Sequence, residues 1–234
     1  MPDLRDAYLR VQRAEEHFEE LKRITTEAQN AQAQTVRFQK EPEGPVDPSA
    51  DLQTLRPWVR MHSEKVVIPD RCRVLVGDVA NDLRSALDYL VARLAELDSG
   101  AKQDGTQFPI EDAPQGFKRR KNKYLRGLTD AHVTAIERLQ PYKGLNWPKQ
   151  LRGLSNVDKH RELHIVTHLL NANVGVDSTP VGTADQRSTR ITMDVRVHAV
   201  LHLVLDGHWP LIETLEKIKF RVVETLEAFK PQFE

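Results

Sequence analysis

The first hydrophobic pattern in the chain is a single apolar stripe over residues 3–38. Apolar side chains recur there at steps of three and four residues, and the segment contains no Gly or Pro, so the pattern predicts one long N-terminal helix. The opposite side is rich in Glu, Lys and Arg. A stripe this long and narrow is typical of a helix hairpin or a coiled coil. We therefore predict a helical partner, either within the chain or in a homodimer formed through this helix.

Further helices follow a Pro-rich loop over residues 41–57. The clearest one covers 70–98, begins after Pro69 and has a wide apolar face, and a short one covers 129–139 with Thr129 as its N-cap. Another helix runs to about Leu170, and its start is left open between Pro148 and Ser155. The last helix covers 210–230 and begins at Pro210.

Strict alternation of apolar and polar residues replaces the helical pattern over 190–207. This period of two predicts a half-buried antiparallel strand, or two strands joined by a tight turn, with residues 173–176 as a candidate partner. The fold class is therefore mainly α: a helical bundle with a long N-terminal helix and a small antiparallel β-hairpin or sheet, within 173–207, before the C-terminal helix. We predict a single domain over 1–234, with 70–170 as its helical core.

Composition narrows the class of protein. Lys plus Arg equals Asp plus Glu at 34 each, so binding to nucleic acid or to a membrane surface would need a local patch. The single cysteine, Cys72, excludes an internal disulfide and a Cys-cluster zinc site, and it suits a reducing compartment. The charged N-terminus does not resemble a secretory signal, and no apolar run reaches membrane-spanning length. We predict a cytoplasmic, soluble protein without membrane contact.

Charged residues on the apolar arc of the helix ending near Leu170 mark the first candidate site. At 100° per residue, Asp158 and Arg161 fall within that arc. Because burying an unpaired charge is costly, we expect them to pair with Asp88 and Arg84 of helix 70–98, as Arg84–Asp158 and Arg161–Asp88. Two interpretations stay open: a structural ion-pair network, or the wall of a polar active site.

Three histidines, His160, His164 and His168, recur every four residues and would share one side of that helix. Adjacent pairs could chelate a metal, but no HExxH motif is present and a third ligand two turns away reaches one ion poorly. The sequence also lacks a Gly-rich phosphate loop and a GxSxG motif. We therefore predict no bound metal and no cofactor, with a metal-dependent hydrolase using His160, His164 and Asp158 as the weakest alternative.

A basic segment is the second candidate site. "KRRKNKYLR" holds six basic residues in nine positions, with Phe117 before it and an aromatic residue within it. Clustered cations beside aromatic rings can follow a phosphate backbone and stack bases. The predicted nucleic-acid-binding residues are Lys118, Arg119, Arg120, Lys121, Lys123, Tyr124 and Arg126. The alternative is a solvated basic loop balanced by the acidic first helix.

Three segments together resemble a family of bacterial proteins: "GDVANDLRSALDYLV" (77–91), "LQPY" (139–142) and "LSNVDKHREL" (154–163). Members carry an LRSALDH-like helix and a later DKHR-like helix. The family has no established activity, so this resemblance supports the fold and implies no function.

A more distant resemblance is to HEPN domains, helical bundles that often dimerise and include RNases. Their motif, Arg, four residues, then His, falls on Arg84 and Tyr89, so a Tyr stands in place of the His. The resemblance implies that Arg84 and Arg161 bind the scissile phosphate and that His160 or His164 transfers the proton. Asp88 and Asp158 would orient these groups. The alternative is a non-catalytic helical interaction or scaffold protein.

Overall fold

A computed structural model describes residues 2–33, 69–160, 164–181, 188–204 and 208–234, and the side chains of 2–28, 69–156 and 209–234. Helices dominate, as predicted. The helices are α1 (Arg5–Ala33), α2 (Asp70–Ser99), α3 (Pro114–Tyr124), α4 (Asp130–Arg138), α5 (Asn146–His160) and α6 (Leu211–Phe229). The strands are β1 (His164–Val181), β2 (Ser188–Val204) and β3 (His208–Pro210), in the sheet order β1–β2–β3. Short 3₁₀ turns cover Pro141–Lys143 and Lys230–Gln232.

The chain forms two compact units. The first comprises residues 1–25, 69–166 and 201–234, and the second comprises 26–68 and 167–200. All contacts discussed below belong to the first unit. The single domain predicted over 1–234 stays a prediction, and the predicted Pro-rich loop lies outside the described residues.

Helix α2 is the central helix of the first unit. It contacts both α5 and α6, which also contact each other. Its buried positions therefore spread around much of its circumference instead of along one stripe. The fully buried large side chains of α2 are Leu75, Leu83, Leu87, Leu90 and Leu94. The helix begins after Pro69 and ends at Ser99, and its cap residue Gly100 donates its N–H to the Glu96 carbonyl and has a left-handed φ of 73°. The helix predicted over 70–98 is thus confirmed.

Helix α1 lies antiparallel to both α2 and α6. Residues of rising number in α1 pair with residues of falling number in the other two helices. The pairs are Asp6–Arg93 at 2.7 Å, Arg10–Asp82 at 3.2 Å, Glu20–Arg71 at 3.0 Å and Tyr8–Glu227 at 2.7 Å. The apolar stripe is buried at Leu4, Ala7, Ala14, Phe18 and Leu21. Over this part of α1 the predicted helical partner lies within the chain, and the homodimer stays a prediction.

The helix predicted to reach Leu170 is wrong beyond His160, because α5 ends there and β1 begins at His164. Ile165, Val166 and Thr167 follow in succession, and β-branched residues favour strands over helices. A four-residue apolar step is also an even step, so it keeps side chains on one side of a strand as well as a helix. The two structures are hard to separate by that spacing alone.

The predicted hairpin within 173–207 is not confirmed as drawn. Strand β1 begins well before residue 173, and β2 is one continuous strand over Ser188–Val204. The described register is that of β2 with β3, which run antiparallel with His202 opposite Pro210 and Val204 opposite His208. The final helix, α6, begins directly after Pro210, as predicted. No described helix combines the length and apolar character needed to cross a bilayer.

Candidate nucleic-acid interface

The basic segment folds as a helix, α3, anchored at its two ends. Pro114 occupies the first turn, where its missing N–H costs nothing. Phe117 is 1% exposed and Leu125, just past the helix, is 4% exposed, so both are held in the core. Gly116 is also buried, and every residue of α3 after Phe117 carries a polar or charged side chain. The local sequence therefore builds a helix with one narrow buried edge and a broad solvent face.

The solvent face of α3 carries several positive charges and no negative charge. Lys118, Arg119, Lys123 and Arg126 are exposed, Arg120 is exposed at the flank, and Lys121 is half-buried. The sequence holds no Asp or Glu from residue 113 to 128. We call the face formed by Lys118, Arg119, Lys123 and Arg126 the α3 basic face.

Few acidic groups neutralise this helix. Arg120 pairs with Glu111, with the Arg120 Nε 2.9 Å from the carboxylate, and its Nη1 donates to the Tyr124 hydroxyl at 2.7 Å. Arg126 donates weakly to the backbone carbonyl of Asp104 at 3.4 Å. Within the part of the chain that the structure describes, Lys118 makes no ion pair, and the same holds for the other lysines of α3 and for Arg119.

The acidic residues of α1 do not balance the α3 basic face among the described residues. They pair instead with cations of α1, α2 and α6: Asp6 with Arg93, Glu15 with Lys219, Glu19 with Lys22, and Glu20 with Arg71. The basic face is therefore left with exposed charge that water and salt ions must solvate.

Aromatic rings near the basic face are already occupied. Phe117 is buried, so its ring is not available to stack on a base. The Tyr124 ring is half-buried and has the Arg120 guanidinium carbon 5.3 Å and the Lys123 Nζ 5.4 Å from its centroid. Such cation–π contacts hold the two cations against the ring. The hydroxyl of Tyr124 is also used, because it accepts the hydrogen bond from Arg120.

Two residues predicted as catalytic, Arg84 and Asp88, bind the backbone of Phe108. The Asp88 carboxylate accepts a hydrogen bond from the Phe108 N–H at 2.8 Å, and the Arg84 Nη2 donates to the Phe108 carbonyl. Arg84 and Asp88 also face each other on the same helix, with Nε and Oδ1 3.7 Å apart. Phe108 is completely buried, so its backbone groups need these partners.

Two residues that the sequence did not single out complete this arrangement. Buried Gln140 accepts from the Glu111 N–H at 3.0 Å and donates to the Pro109 carbonyl at 2.9 Å. Arg152 of α5 donates to the Ile110 carbonyl at 3.0 Å and pairs with Asp112 at 2.6 Å. We call the set Arg84, Asp88, Gln140 and Arg152 the backbone clamp. It binds the backbone of residues 108–111 with side chains from α2, α5 and the turn after α4.

Burial dominates the electrostatics of Arg84. Loss of solvent lowers the pKa of its guanidinium, the Asp88 carboxylate acts in the opposite direction, and the positive charge of Arg152 adds to the lowering. The Arg84 Nη1 is buried and has no hydrogen-bond partner among the described residues. Arg84 is thus held at a real electrostatic cost, offset in part by its bonds to Phe108 and Asp88.

The side chains of the remaining predicted catalytic residues are not among those that the structure describes. Asp158 and His160 belong to α5, and His164 opens β1, but their side chains fall outside the described residues, as does the whole of Arg161. The predicted Arg84–Asp158 and Arg161–Asp88 pairs therefore stay predictions. The histidine stripe is wrong, because His164 and His168 belong to a strand.

A second polar cluster joins the end of α2 to the start of α4. The Asp98 carboxylate lies 2.7 Å from the His132 Nδ1 and accepts from the Thr129 N–H at 2.7 Å. The His132 Nε2 lies 3.1 Å from the Gln232 amide oxygen. Thr129 is the N-cap residue as predicted, but its hydroxyl bonds Asp98 at 3.0 Å instead of capping the helix. Both nitrogens of the imidazole therefore have structural partners.

Burial alone would raise the pKa of Asp98, but the bonds from Thr129 and His132 outweigh it and leave that pKa below its ordinary value. Among the described residues, no three or more His, Cys, Asp or Glu side chains are grouped so that they could hold a metal ion.

Comparisons of the chain with protein-family models, with curated proteins and with solved structures find no match.

Proposed function

We propose that this protein binds nucleic acid, RNA in the first instance, through the α3 basic face. The observation that carries the proposal is the exposed positive charge of Lys118, Arg119 and Lys123, which form no ion pair with any described residue and lie on a helix without acidic residues. The chain as a whole has no net charge, so this local excess is not a by-product of a basic composition.

The physical basis is the release of counterions from the phosphate backbone. Each cation that neutralises a phosphate frees a condensed counterion, and binding becomes steeply salt-dependent. Lys118 and Arg119 are suited to this role, because neither has to leave an ion pair with a described residue in order to contact a phosphate. Arg120 is less suited, because it would have to leave Glu111.

The test is a titration of a fluorescent RNA of about 20 nucleotides at roughly 50 mM salt, followed by anisotropy. We compare the wild type with the double variant Lys118→Glu, Arg119→Glu. The matched control is Arg5→Glu, Lys217→Glu, which makes the same change in net charge at exposed cations of α1 and α6. We expect the α3 variant to lose at least about tenfold more affinity than the control. Equal losses in both variants, or no binding by the wild type, would refute the proposal.

RNA cleavage by Arg84, Arg161 and His160 or His164, with Asp88 and Asp158 in support, stays a second proposal. It is tested by incubating RNA with the purified protein beside the Arg84→Ala, Arg161→Ala variant. Equal background cleavage in both removes it. The resemblance to HEPN domains, the homodimer and the cytoplasmic location belong to this same proposal.

The alternative function is that of a non-catalytic interaction or scaffold protein whose polar cluster is structural. The backbone clamp favours it, because Arg84 and Asp88 bond Phe108. In that case Asp158→Asn should lower the melting temperature by leaving an arginine without its partner. An unchanged melting temperature would count against a structural ion-pair network that includes Asp158.

A further inference from the structure

We infer that the α3 basic face binds double-stranded nucleic acid through its phosphates, without contacts to the bases. This inference rests on the proposed function and specifies its ligand. It would make the interface insensitive to sequence. It also replaces the expectation that Tyr124 and Phe117 stack on unpaired bases.

Among the described residues, the aromatic rings at α3 are not free to stack on bases. Proteins that bind single strands gain about 1–3 kcal/mol for each base stacked on an aromatic ring. Phe117 is buried, and the Tyr124 ring already carries Arg120 and Lys123. Among the described aromatic side chains only Phe220 is exposed, and it belongs to α6. A single strand at α3 would therefore be held by its phosphates alone.

The charged surface is long enough to contact several phosphates. At about 1.5 Å per helical residue, Lys118 to Lys123 cover roughly 7.5 Å of α3, and Arg126 lies just past the end of the helix. A duplex carries a charge about every 1.7 Å along its axis and one strand about every 3.4 Å, so a duplex offers roughly four phosphates over that length and a single strand roughly half as many. A purely electrostatic surface of this size therefore gains more from a duplex.

The surface of α3 can contact the sugar-phosphate backbones of both strands of a duplex. The cations project from a convex helix and not from the walls of a narrow channel, which is the arrangement that tracks a single strand. Because phosphate groups are common to both nucleic acids, duplex RNA and duplex DNA share the chemistry that a phosphate-binding surface recognises. The experiment therefore includes both.

The full-length chain is titrated against four probes at roughly 100 mM salt. Two are duplexes of about 20 base pairs, one of RNA and one of DNA, and two are single strands of about 20 nucleotides, one of RNA and one of oligo-dT. We expect both duplexes to bind at least about fivefold more tightly than either single strand. The slope of log affinity against log salt concentration should be about −4. For Arg119→Ala it should be less steep, at about −3, because one phosphate contact is lost. Tyr124→Leu, checked for folding by circular dichroism, should change single-strand affinity by less than about twofold.

Equal or tighter binding of the single strands would overturn the inference and leave the proposed function standing. A loss of more than about fivefold in single-strand affinity on Tyr124→Leu would do the same, because it would reveal stacking. The comparison of probes with the wild type alone decides the question if that variant misfolds. Failure of the wild type to bind any of the four probes would overturn both.

Discussion

The carboxylate of Asp88 accepts a hydrogen bond from the N–H of Phe108 at 2.8 Å, and the two residues are linked a second time through Arg84, which donates to the carbonyl of Phe108. Both backbone groups of one buried residue are thus satisfied by neighbouring turns of α2. In a sheet, a second strand would supply these bonds. Here the central helix performs that role with side chains.

Replacing Arg84 by Met should lower the free energy of unfolding by about 1–3 kcal/mol, because the buried carbonyl of Phe108 loses its donor and Asp88 loses a neighbouring positive charge. The measurement is urea unfolding followed by circular dichroism. Arg119→Met is the control on the exposed face of α3 and should change stability by less than about 0.5 kcal/mol. An equal effect of the two substitutions would contradict a structural role for Arg84.

Gln140→Glu should be more damaging, by about 3 kcal/mol or more at neutral pH. The new carboxylate would be completely buried and unable to donate to the Pro109 carbonyl. Lowering the pH should recover part of the loss, because a protonated carboxyl regains one donor. Thermal unfolding at pH 7 and at about pH 5 measures both effects, with exposed Gln115→Glu as the control. A loss that does not shrink on acidification would argue against this account.

Asp98→Asn tests the cluster around His132. Because the pKa of Asp98 is lower in the folded protein than its ordinary value, the ionised carboxylate stabilises the fold above about pH 4, and this contribution disappears as the pH falls through the folded-state value. The variant should therefore be less stable than the wild type at neutral pH, and the two should converge below about pH 4. Unfolding curves over that range give the comparison, and exposed Asp104→Asn should show no such convergence.

Gly100→Ala should reduce stability by about 1 kcal/mol, because Gly100 has a φ of 73° and a side chain there is strained. No atom lies within 4 Å of the position that a Cβ would take, so the cost is one of backbone conformation and not of packing. Gly100→Asn should lose less, since Asn tolerates this conformation better. Chemical denaturation of both variants separates the two contributions, and equal losses would point to another cause.

The helical part of the fold was predictable from periodicity. Helices α2 and α6 follow the predicted bounds within one residue because each carries a full apolar face between a Pro start and a terminating residue. The end of α5 was not predictable from periodicity, because the four-residue spacing of Ile165 and Leu169 fits both the helical and the strand period. The β-branched run at 165–167 was the available signal, and it favoured the strand.

The candidate site was predictable only in its surface part. Exposed cations reveal themselves by clustering in sequence, as in Lys118–Arg126. The backbone clamp does not, because its members come from distant segments and bind backbone atoms, which have no sequence signature. Arg84 and Asp88 lie at the edge of the apolar face of α2, and their i,i+4 spacing suits an ion pair within one helix. Nothing in the sequence linked either residue to Phe108 or singled out Gln140.

The backbone clamp has a consequence for how this part of the chain can change over evolution. Its four side chains recognise amide and carbonyl groups, which are common to nearly all residue types, and at residue 109 only the carbonyl is used, so the lack of an N–H in proline does no harm there. Homologues should therefore retain the four clamping residues together, while the identities of the residues they hold can drift within the limits of burial. Covariation between side chains would miss this relationship, because one partner in each contact is the same in every sequence.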